Sequence, residues 1–148
     1  MSSAFSLNCF HDVVHNRIEV TASGPIDSRL LADEQLAFLK SLDRPWTLDR
    51  LIDLRRGRGV VAYQDLIRLS RWWQSVEVKA PRAIKAAVVS LEEGLNARSR
   101  SIDLLFPKQV CRYFTDRDAA EEWLGDARVS ESAPSFGAFG DRTVYIDG

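Results

Sequence analysis

The stretch LDRLIDLRRGRGVVAYQDLIRLSRWWQSV, Leu48 to Val76, decides the reading of the fold. Leu51, Ile52 and Leu54 around Asp53 read as a buried strand running from Leu48 to Leu54. Arg55 to Gly59 reads as a basic glycine turn, and about Ala62 to Val76 as a long amphipathic helix. At about 100° per residue, Ala62, Leu66, Leu69, Trp73 and Val76 share a core stripe, with Gln64, Arg68, Arg71 and Ser75 opposite. Trp72 falls about a quarter turn off that stripe, as a flank over the core edge or as an exposed anchor for a partner. A strand feeding straight into a helix is half of a βαβ unit. In open α/β sheets, ligands or partners collect at that carboxyl-end turn.

Upstream, Phe5, Leu7 and Cys9 alternate with polar residues, as do Ile18, Val20 and Ala22, so an antiparallel hairpin is expected around the polar turn His11 to Asn16. Gly24-Pro25 ends the second strand, because proline has no N–H for the ladder. Asp27 or Ser28 caps a helix to about Leu42, with Leu31, Ala32, Leu36, Phe38, Leu39 and Leu42 on one face. Asp43-Arg44-Pro45 stops it, and Trp46 is placed as a plug over its end. Downstream, Ile84 to Leu91 is nearly continuously apolar after Lys85, which marks a parallel strand covered on both faces. A weaker helix is expected from about Glu93 to Phe106, then a strand around Val110 to Thr115. A last helix follows, capped by Thr115 or Asp116, carrying Ala120, Trp123 and Leu124 inward and closed by Gly125. The expected architecture is therefore a single α/β domain over residues 1–125. It has a mixed sheet of about five strands, an N-terminal antiparallel hairpin followed by βαβα units, with about four helices packed against it. Residues 126–148 read as a linker and tail.

The bulk properties narrow the function. The 148 residues suit one domain, and a composition of 45% hydrophobic and 28% charged is that of a soluble globular chain. Lys plus Arg number 20 against 21 Asp plus Glu, a net charge of −1, which argues against general nucleic-acid or anionic-membrane binding. No apolar run approaches the roughly 20 residues of a membrane span. The opening MSSAFSLNCF has neither a basic start nor a long apolar core, so a cytoplasmic location is expected. Cys9 and Cys111 fall in separate strands without a C-x-x-C or a His/Cys cluster, and read as buried reduced thiols.

Three segments carry a resemblance: V-x-A-x-G-P-I-D at Val20 to Asp27, L-I-D-L-R at Leu51 to Arg55, and F-T-D-R-D-A-A-E-E-W-L at Phe114 to Leu124. With the order of elements, the chain over about residues 4 to 125 resembles the SpoIIAA-like family, related to the STAS domains of anti-sigma-factor antagonists and anion transporters. The resemblance implies a mixed sheet with helices packed against it, and protein–protein signalling in place of catalysis. One departure stands out. In the antagonists, a D-S-[SA]-G segment after the central strand carries the phosphorylated serine. Here Arg55 to Tyr63 reads R-R-G-R-G-V-V-A-Y, with no hydroxyl acceptor apart from Tyr63.

Catalytic constellations are absent from the sequence: no G-x-S-x-G, no H-E-x-x-H and no Walker loop, so no enzyme activity, cofactor or metal is expected. His11 and His15 read as solvated turn residues, and the paired acids Glu92-Glu93 and Glu121-Glu122 as helix-end or solvated charges. The candidate partner- or anion-binding residues are Arg55, Arg56, Gly57, Arg58 and Gly59, with Tyr63 and Trp72 as apolar contacts. Glycines would let backbone N–H groups converge on an anion and the arginines would add forked donors. The bland alternative is a solvated turn. The expected function is a regulatory module that binds another protein of unknown identity. The alternative is a carrier of a small lipid or anion, which an apolar pocket of roughly 300 Å3 or more lined by Phe106, Tyr113 and the third helix would favour. Phe136, Phe139, Val144, Tyr145 and Ile146 in the polar tail need cover, and a homodimer through that tail would supply it. Truncation at about Ala127 is then expected to leave a folded monomer, and sedimentation identical to the full chain would remove the tail from the dimer contact.

Overall fold

The computed structural model describes residues 4–80, 82–92 and 99–125. Alternation of apolar and polar residues builds β1 (Ser6–Asp12) and β2 (Arg17–Pro25), paired antiparallel with Cys9 opposite Val20. Asp27 then caps α1 (Ser28–Ser41), accepting the Leu30 N–H at 3.0 Å. A 3-10 turn (Pro45–Thr47) leads into β3 (Asp49–Arg58), and α2 (Tyr63–Glu77) follows. β4 (Ile84–Val89), α3 (Ser99–Leu105), β5 (Gln109–Phe114) and α4 (Arg117–Leu124) complete the described chain. The five described strands form one mixed sheet in the order β1-β2-β3-β4-β5, parallel from β2 onward.

A parallel sheet whose strands follow in sequence order places successive right-handed crossovers on the same side. The packing agrees. Ile18, Val20, Ala22, Ile52 and Leu54 face α1 and α2, joined by Leu31, Leu39, Leu69 and Trp73, with Ile102 and Phe106 beside them. On the other face, Leu51, Ala87, Val89 and Val110 meet Ala120, Trp123 and Leu124 of α4. β4, between two parallel neighbours with helices on both sides, is buried at all its residues, as its continuous apolar run requires. Trp73, 1% exposed, lies at the centre of the first face, and truncating such a ring costs about 3–5 kcal/mol.

Two features depart from the simple pattern. Lys85 stands inside the apolar strand yet is buried, because its ammonium donates to the carbonyls of Trp123 at 3.0 Å and Leu124 at 2.8 Å. A cation there satisfies orphan acceptors at the end of α4 and opposes the negative end of its dipole. The second departure corrects the basic glycine turn. β3 does not stop at Leu54 but runs to Arg58, with Arg56, Gly57 and Arg58 paired to Ser23, Gly24 and Pro25 of β2. Only Gly59, at φ +112°, makes the turn into α2. Trp46 packs against the core, under the Lys79 ammonium at 4.9 Å from its ring centre. Both cysteines are free thiols. The tail, 126–148, and residues 93–98 of the expected third helix lie outside the described residues.

Gly24 is demanded twice over. Its φ is +84°, and a Cβ there would stand 2.5 Å from the Ala4 carbonyl oxygen. Gly125, at φ −82°, has room for a methyl group 3.6 Å from the Glu121 carbonyl oxygen. Gly24→Ala should therefore lose about 1–3 kcal/mol in urea unfolding, while Gly125→Ala should stay within about 0.5 kcal/mol of wild type.

Candidate functional site

The carboxyl end of the sheet is shaped by a bulge. Between Thr21 and Ser23 of β2, the partner positions on β3 advance from Asp53 to Arg56, so β3 carries one extra residue. A bulged residue loses its ladder partner. Here the Arg55 N–H donates instead to Oδ1 of Asp53 at 3.1 Å. The Arg55 side chain folds back onto the same carboxylate, Nε to Oδ1 at 3.0 Å and Nη2 to Oδ2 at 2.8 Å. Arg117 of α4 stands 3.5 Å from Oδ2 and also donates to Glu19 at 2.8 Å and Glu121 at 2.6 Å. Burial opposes ionisation of Asp53, but hydrogen bonds from Arg55 and the charges of Arg55 and Arg117 outweigh it, holding the carboxyl below its usual range. Arg55, proposed from sequence as a partner contact, is thus committed to the fold.

Beyond the bulge, β2 and β3 stay together through the Ile26 N–H, which donates to the Arg58 carbonyl at 2.7 Å. A paired, extended backbone sends successive N–H groups to opposite sides, so Arg55 to Arg58 do not form the converging anion cradle that a loose glycine turn would offer. The start of α2 is also already served. Ser28 Oγ accepts from the Ala62 N–H and donates to Asp65, each at 2.7 Å. Asp65 sits in the first turn of α2, where its charge complements the helix dipole, and hydrogen bonds from Ser28 and Arg68 lower its pKa. Arg68 continues the chain to Asp33 of α1 at 2.7 Å. α1 and α2 are locked at their N-terminal ends by this polar relay.

What remains free is a surface patch. Arg56 and Arg58 are exposed, and among the described residues neither forms an ion pair or a side-chain hydrogen bond. Beside them Val60 is 66% exposed and Tyr63 41%, and Leu30 at the start of α1 is exposed at the same end of the sheet. Val60 and Leu30 were not singled out from the sequence; the paired valines at 60 and 61 were the available signal, since only Val61 turns inward. Trp72 does not join the patch. It lies about 14 Å along α2 from Tyr63 and packs half-buried on the core edge, its ring centre 6.3 Å from that of Trp73. His15 pairs with Asp12 at 2.7 Å in an exposed turn. Among the described residues no three His, Cys, Asp or Glu side chains are grouped to hold a metal, and no helix is long and apolar enough to cross a membrane. An apolar cavity does lie between the sheet and α1–α3, lined in part by Ile102, Phe106 and Tyr113, but its volume is about 80 Å3. That is well below the size of a lipid-carrier pocket, roughly 300 Å3 or more.

A protein of the DUF3478 family with a SpoIIAA-like fold, from Shewanella loihica, superimposes with a TM-score of 0.53 over 84% of this chain and 98% of its own, at 20% identity. The fold is SpoIIAA-like. An anti-sigma factor antagonist from Mycobacterium paratuberculosis matches equally, with a TM-score of 0.53 over 85% of this chain and 100% of its own, at 16% identity. No family model and no curated protein matches the sequence. In this chain the segment leading into α2 carries arginines in a paired strand. A serine hydroxyl at the helix start comes from Ser28 of α1.

Asp53 gives a pH test. Its folded pKa is depressed, so its contribution is present above the unfolded value, about 3.9, and is lost as pH falls through the folded value. Asp53→Asn should cost about 1–3 kcal/mol at pH 7 in urea unfolding, and the gap to wild type should narrow as pH falls below the unfolded value and through the depressed folded one.

Proposed function

We propose that this chain is a non-catalytic regulatory module that binds an acidic protein partner through Arg56, Arg58, Val60 and Tyr63. The observation that carries the reading is the pairing of two unengaged guanidinium groups with exposed apolar side chains on a strand-fixed platform. Arginine and aromatic residues dominate binding hot spots, and a rigid platform loses little entropy on docking. The similarity in fold to an anti-sigma factor antagonist supports a protein partner. Arg55 and Trp72 contribute by holding the platform and the core edge. Gly57 and Gly59 contribute shape: a Cβ on Gly57 would stand 3.0 Å from Ile26 Cδ1, and Gly59 supplies the turn.

Charge reversal separates the roles of the three arginines. Arg56→Glu/Arg58→Glu should leave unfolding free energy within about 0.5 kcal/mol of wild type, because exposed charges contribute little to folding. Arg55→Glu should destabilise, since it sets a second carboxylate against Asp53. A partner cross-linked to the wild type in its native cells should be lost from the double variant and from Tyr63→Ala. Its association rate with wild type should fall with salt. Equal binding by the double variant would move the interface away from this end of the sheet.

A further inference from the structure

Arg50 of β3 shares its face with Ile52 and Leu54 and is 2% exposed, within the apolar core. Its guanidinium lies 4.9 Å from the ring centre of Trp73 and 5.7 Å from that of Phe106, and Nη2 donates to the Gln109 side chain. The charge of Glu77 favours the cationic form of Arg50 from beyond ion-pair distance. Among the described residues no carboxylate comes within 4 Å, and Nε is buried with no hydrogen-bond acceptor. Glu77 at the end of α2 is also buried, with one carboxylate oxygen unpartnered, yet it makes no ion pair with Arg50. Burial pushes the Arg50 pKa down to about 10, so the group is still a cation at neutral pH. A buried unpaired charge is among the most costly features a core can hold.

The same arginine lines the 80 Å3 cavity, with Leu69, Val88, Ile102, Phe106 and Tyr113 among the other walls. A cavity needs roughly 10–15 Å3 to hold a single water, so this one exceeds that several-fold and suits a small organic acid of a few carbons. We propose that this cavity binds a short-chain monocarboxylate, its carboxylate paired with Arg50 and its alkyl chain against Leu69, Val88 and Ile102. The anion supplies an ion-pair partner for the guanidinium where it borders the cavity, and the planar guanidinium fork suits a carboxylate. The walls select against larger acids by volume. This site is separate from the exposed patch and stands or falls independently of it.

The test compares butyrate with butyramide, nearly isosteric and neutral, by methyl-resolved NMR titration of the intact protein at physiological salt. Butyrate should shift the Leu69, Val88 and Ile102 methyl signals saturably, with a dissociation constant of about 1 mM or below. It should bind at least about tenfold tighter than butyramide, as expected for a charge-assisted pair. Arg50→Met should abolish that preference while retaining the cavity. The wild-type comparison decides the matter even where this variant fails to fold. No saturable methyl shift, equal binding of acid and amide, or shifts confined to residues around Arg56 and Arg58 would each overturn the proposal.

Discussion

The bulge in β3, closed by the Asp53 carboxylate, is the constraint on which the functional end of the molecule depends. β4 pairs with β3 only as far as Asp53, and beyond that point β2 is the one described strand that pairs with it. A two-stranded ribbon with an unfilled N–H at its base would be a weak extension. Asp53 fills that N–H, draws the Arg55 side chain back over the sheet and meets Arg117 from α4. One carboxylate thus ties the ribbon to the helix on the far face. The Ile26–Arg58 bond and Gly24 then hold the ribbon's upper half, and Gly59 turns the chain into α2 from a fixed position.

The arginines consequently divide by environment despite standing side by side in sequence. Arg55 points into a network of carboxylates and belongs to the fold. Arg56 and Arg58 carry no such partners among the described residues and are exposed. Arg50, earlier in the same strand, is buried against Trp73 and Phe106, with no carboxylate within 4 Å among the described residues. Each answers to a different rule: charge pairing, solvent exposure and desolvation.

Much of the architecture was legible because the apolar periods are clean. The hairpin, the covered β4 run, the Asp27 cap and the inward set Ala120, Trp123 and Leu124 all appear where the pattern puts them. The end of β3 was not legible. Among the described residues its last positions pair only with β2 and are mostly solvent-exposed, so their side chains carry no alternation, and two glycines among arginines read as a turn. Lys85 and Arg50 are missed for the opposite reason. A single cation in a strand reads as a solvated position, although Arg50's spacing with Ile52 and Leu54 already placed it on a core face. Trp72 shows the limit of helical angle alone: a quarter turn off the stripe is compatible with a flank or an anchor, and only the packing decides for the flank.

The central claim is that the arginine-glycine segment is sheet, held rigidly enough to present Arg56, Arg58 and Tyr63 as one surface. Amide hydrogen exchange at Ile26 tests it most directly, because that N–H donates to the Arg58 carbonyl at the outermost point of the ribbon. The account predicts slow exchange, with an opening free energy close to that of amides in the middle of β2. Exchange at the rate of an unprotected loop would contradict it, and would return the segment to a flexible basic turn.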